Sequence, residues 1–80
     1  MAITNETIEF TIDLIATQIA ERIAEKNGIP VNEAIRQFMA TQTYELLITK
    51  EARLYLESVP YILDMLEAEK NGDFEKLLEI

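Results

Sequence analysis

The chain has 80 residues, of which 49% are apolar, and a formal net charge of −8 with seven basic residues against fifteen acidic ones. That is one thin-cored domain, 1–80, whose field repels phosphate backbones and anionic membranes and attracts a basic protein surface. Cysteine and histidine are both absent, which excludes disulfides, removes the usual ligands of zinc and most transition metals, and leaves acid–base chemistry to carboxylates, lysine and tyrosine.

Ile8, Ile12, Ile15, Ile19 and Ile23 recur at spacings of four, three, four and four, which predicts a helix over about residues 5–27. Thr4 or Asn5 can cap its start, Glu6 and Glu9 suit the positive end of its dipole, and Asn27-Gly28 followed by Pro30 stops it. Ala16, Ala20 and Ala24 give the same helix a shallow face that another helix can approach closely. Ahead of it, Met1 to Phe10 has no basic n-region and no apolar h-region, so no secretory signal is expected. No apolar run approaches the length of a membrane span, and the cytoplasm is the expected compartment.

Asn32 is the expected N-cap of a second helix over about 32–46, with Val31, Ile35, Phe38, Met39 and Leu46 on one face. The pattern lapses over Ile48 to Glu51, and Leu54-Tyr55-Leu56 reads as a short connector helix. Ser58 caps a third helix over about 59–71, with Pro60 tolerated in its first turn, a core face of Val59, Ile62, Leu63 and Leu66, and a stop at Asn71-Gly72. Asp73 opens a short C-terminal helix carrying Phe74, Leu77 and Leu78. No segment alternates long enough to demand a strand. The expected fold is all-α: a small bundle of three main helices plus a connector helix and a C-terminal helix.

Chemistry is hard to place on this pattern. Glu9 with Asp13, and Glu21 with Glu25, sit one turn apart opposite the isoleucine stripe, as a solvated helix face does. The run Glu67 to Asp73 alternates acids before a glycine, but the last position of a calcium loop, where a bidentate acid belongs, holds Leu78. Ser58 has no base nearby in sequence, and its capping role accounts for it. Ala24 and Gly28 have helix-turn-helix spacing, with Asn32 at the start of the would-be recognition helix; Arg36 is the lone strong phosphate or base reader there and Glu33 opposes it. No catalytic residue, cofactor, metal or small-molecule substrate is therefore expected, and nucleic acid is disfavoured.

Interaction is better supported. Tyr44, Tyr55 and Tyr61, with Arg36 and Arg53, are residue types enriched at protein interfaces, and they are the candidate partner-binding residues. Chains this short often complete a thin core by pairing, so a homodimer is expected, with Ile12, Ala16, Ile19 and Ile23 as its candidate face. The same stripe equally suits the intrachain core.

The segments Phe38-Met39-Ala40-Thr41-Gln42-Thr43-Tyr44-Glu45-Leu46-Leu47, Leu54-Tyr55-Leu56-Glu57-Ser58 and Tyr61-Ile62-Leu63-Asp64-Met65-Leu66 resemble a family of short bacterial helical proteins of uncharacterised function with a TYELL…LYLES…YILDML core. Together with the Gly-Ile-Pro turn, the resemblance covers roughly residues 23 to 66. It implies a bacterial cytoplasmic origin and an antitoxin-like or accessory binding role, and it transfers no functional residue. The sequence thus points to a non-catalytic protein-interaction module, a homodimer that also binds a basic partner. The alternative is a helix-turn-helix regulator using the turn at Gly28.

Overall fold

Thr4 starts the longest element in the computed structural model, which describes residues 4–72. Its backbone is extended and its side chain accepts the Thr7 N–H at 3.1 Å, so helix α1 (Asn5–Asn27) begins with a satisfied donor. Ile12, Ile15, Ala16, Ile19, Ala20, Ile23 and Ala24 are buried along its inner face, and Ile8 is half-buried. Each fully buried large side chain contributes roughly 1.5–3 kcal/mol. Gly28 ends α1 with φ 65°, and the N–H groups of Gly28 and Ile29 both reach the Ala24 carbonyl.

A Cβ placed on Gly28 would meet nothing within 4 Å, so an alanine there is opposed by the left-handed backbone alone. Gly28→Ala is expected to lower stability by about 1 kcal/mol, read as a drop in melting temperature. Gly28→Asn should lose less, since asparagine tolerates that backbone better.

Helix α2 (Val31–Met39) folds back against α1. It starts one residue earlier than expected. Pro30 is the cap, and its carbonyl accepts from Glu33 and Ala34, whereas Asn32 only reaches the neighbouring Glu33 N–H. Proline suits that place because it has no N–H to satisfy.

The second predicted helix, 32–46, is two helices. At Ala40 the chain closes tight turns back to the Gln37 and Phe38 carbonyls, Thr41 becomes extended, and α3 (Gln42–Ile48) begins. Phe38 and Leu47 are nine residues apart, which on one continuous helix is about two and a half turns and puts them on opposite sides. Both are fully buried, which the break makes possible. Val31 and Met39, expected on the core face, are about half exposed.

Two 3-10 turns, Lys50–Ala52 and Leu54–Leu56, join α3 to α4 (Val59–Lys70), and Leu54 is buried. Ser58 caps α4 by accepting the Tyr61 N–H at 3.3 Å, and Asn71-Gly72 closes it with Gly72 at φ 79°. On α4 the buried residues are Ile62, Met65 and Leu66, while Val59 and Leu63 are half-buried against the core. No strand occurs among the described residues, whose regular elements are all helices. The expected C-terminal helix from Asp73, and the end of the calcium-loop comparison at Leu78, lie outside the described residues.

Candidate interaction surfaces

The candidate dimer face is inside the chain. Ile19 is fully buried, and Ile12, Ala16 and Ile23 are 8% exposed or less, all in the one core formed with Phe38, Leu47 and Ile62. A second copy cannot reach these side chains while the chain keeps this packing. Their spacing correctly marks a buried stripe, but the stripe faces the chain's own α2, α3 and α4 rather than solvent.

The five candidate partner-binding residues separate into two groups. Tyr44 is half-buried, and its ring meets Phe38 edge-on at 5.4 Å and 77°. Tyr55 is likewise packed against the core. Arg36, Arg53 and Tyr61 are exposed. Arg53 is the one described non-glycine residue with positive φ, 56°, and it joins the two 3-10 turns, so its backbone has a structural role of its own. Among the described residues no side-chain hydrogen bond links any two of the five.

Two polar arrangements use other side chains. Between α1 and α4, an open groove is bordered by Arg22, Lys26 and Lys70 and by Glu25, Asp64 and Glu67. Lys26 and Glu67 pair across it at 3.5 Å, both largely exposed. Its rim carries three cations and three anions, so it favours neither a cation nor an anion.

The second arrangement is at the α2–α3 break. The Glu69 carboxylate on α4 accepts the Gln42 N–H at 3.0 Å, the Thr43 N–H at 2.9 Å and the Thr43 hydroxyl at 2.8 Å. Burial pushes its carboxyl upward, and the hydrogen bonds from Gln42 N–H, Thr43 Oγ1 and Thr43 N–H outweigh that and hold it below the ordinary carboxylate value. Glu69 thus supplies, from another helix, the acceptor that the first turn of α3 lacks. Thr41 accepts only the Tyr44 N–H, at 3.1 Å, and the Gln42 and Thr43 N–H groups go to a residue far along the chain, so no local motif in the sequence announces the arrangement.

Of the carboxylate pairs, Glu9 is engaged by Lys50 at 3.3 Å, and Asp13, Glu21 and Glu25 are exposed. Among the described residues no group of three or more potential ligands gathers to hold a metal ion. On α2, Asn32, Glu33, Arg36 and Gln37 are exposed, so the surface after the Gly28 turn carries one cation and one anion. No helix among the described residues is long and apolar enough to cross a membrane.

What the surface offers instead is apolar. Phe10 is 69% exposed and Leu14 49%, both on α1, and Val31, Met39, Ile48, Leu56 and Tyr61 are also about half exposed or more. The described residues thus form a small acidic helical unit with apolar side chains on its exterior. Set against known protein families, curated proteins and solved structures, the chain matches none.

Proposed function

We propose that the protein is a non-catalytic interaction module that binds a basic protein partner, in an antitoxin-like or accessory role in the cytoplasm. The observation that carries this reading is the coexistence, among the described residues, of seven large exposed apolar side chains with a net charge of −8 for the chain. Exposed apolar surface favours burial against a partner, and the surrounding acidity selects one with basic residues at its rim. Self-association is a companion proposal, supported by the thin core of an 80-residue chain. It would use the exposed side chains, because the isoleucine stripe is occupied.

Co-purification with the product of the adjacent gene tests the reading. Retention at low salt that falls as salt is raised is expected, since screening weakens attraction between exposed charges. Failure to retain that product even at low salt removes the antitoxin-like version. Light scattering on the pure protein decides the dimer: the mass of a single chain at every concentration tried rules it out.

A further inference from the structure

The isoleucine stripe is not the only helical seam on α1. On the opposite side Thr7, Phe10, Leu14 and Thr17 follow one another at spacings of three, four and three. That is the spacing of the seam of a two-helix coiled contact, with Phe10 and Leu14 as its apolar positions. All four residues are exposed, so among the described residues nothing covers this line. The threonines fit the seam better than their polarity suggests. The Thr17 hydroxyl donates to the Asp13 carbonyl at 2.9 Å, and those of Thr7 and the cap residue Thr4 lie 3.0 Å apart, so each has a partner within a turn of the chain.

The flanks of the seam have one sign. From Asn5 to Glu21 every ionisable residue is acidic, and the first cation is Arg22. Glu6 and Asp13 lie four residues before and three after Phe10, on the same border of the seam. No ion pair among the described residues engages either; Lys50 reaches only Glu9.

We infer that this outer face of α1, anchored by Phe10 and Leu14, docks an amphipathic helix of the basic partner, with lysine or arginine opposite Glu6 and Asp13. The inference rests on the basic-partner reading and names the surface and the secondary structure of what it binds. The same charges argue against a second copy here. In an antiparallel pair of α1 helices the border carrying Glu6 and Asp13 meets itself, acid against acid. In a parallel pair it meets Thr11 and Gln18, which bring no compensating cation.

The test uses the full chain and two labelled peptides with leucine at the same three-four spacing, one flanked by lysine and one by glutamate, read by fluorescence anisotropy. The protein should bind the lysine peptide and not the glutamate peptide. Phe10→Ser/Leu14→Ser should weaken binding by about tenfold or more, as expected for central apolar anchors. Glu6→Lys/Asp13→Lys should shift preference toward the glutamate peptide. Circular dichroism should show both variants as folded as the parent, because the changed side chains lie on the surface. If the serine variant binds the lysine peptide as well as the parent does, the surface is wrong while the basic-partner reading stands. If the parent binds neither peptide, a basic helix is not the occupant. A parent dimer that the serine variant dissociates in light scattering assigns the face to a second copy and overturns the inference.

Discussion

Phe38→Ala is expected to cost about 3–5 kcal/mol, the usual range for deleting a buried aromatic ring from a packed core. Phe38 is fully buried and its ring meets Tyr44 edge-on, a pairing that contributes about 0.5–1.5 kcal/mol beyond the area it buries. It is also the last buried side chain before the α2–α3 break, so its loss removes the anchor that lets the chain turn there. At roughly 0.05–0.15 kcal/mol per residue, a domain of this length has little stability in reserve, and the variant should be largely unfolded in mild urea. Urea unfolding followed by circular dichroism reads the effect, with Tyr61→Ala as the exposed control expected within about 0.5 kcal/mol of the parent. A Phe38→Ala variant as stable as that control would mean that the core is centred elsewhere.

The second large effect belongs to Glu69. Glu69→Ala leaves the N–H groups of Gln42 and Thr43 and the Thr43 hydroxyl without their acceptor, and Thr43 is fully buried. An unsatisfied buried donor costs about 1–3 kcal/mol, so a destabilisation of that order is expected, with most of it arising at Thr43 rather than at the more exposed Gln42. The pH dependence has a definite sign. The carboxyl is held below its unfolded value, so its stabilisation is fully present above the ordinary carboxylate range and is lost as pH falls through the folded value. Glu69→Gln should therefore differ most from the parent at neutral pH and converge with it in acid. Parallel urea midpoints that keep the same gap from neutral to acidic pH would show that the charge on Glu69 does not matter.

The two seams of α1 show how far periodicity alone reaches. The four-three-four-four run of isoleucines defines the helix, its inner face and, with Gly28, its end, because burial on one side of a helix leaves a 3.6-residue signature in the chain itself. The three-four-three line through Phe10 and Leu14 is equally present in the sequence, yet it gains meaning only once α2, α3 and α4 are seen to cover the opposite side. Periodicity marks a face without saying what lies against it, which is why the stripe of Ile12 and Ile19 suits a dimer until the intrachain core is found to occupy it.

The break after Met39 was hidden for a related reason. Residues 32–46 keep enough helical spacing to read as one element, and nothing within them supplies an acceptor for the Gln42 and Thr43 N–H groups. The acceptor is Glu69, 26 and 27 residues away along the chain. Tyrosine placement has the same dependence, since only the turn at Thr41 brings Tyr44 edge-on to Phe38.

What the sequence determined by itself is therefore local: an all-helical chain, a cap at Thr4 or Asn5 and another at Ser58, the stops at Gly28 and Asn71-Gly72, the buried stripe of α1 and the acidity that favours a basic partner. These follow from spacing, capping chemistry and net charge, each set by neighbours within a turn or two or by simple addition. The tertiary structure alone decided that α2 and α3 are separate, that Glu69 closes the first turn of α3, and that Ile12, Ala16, Ile19 and Ile23 face inward while Phe10 and Leu14 do not. Those outcomes depend on which distant groups meet, and burial and hydrogen-bond satisfaction are settled only when they do.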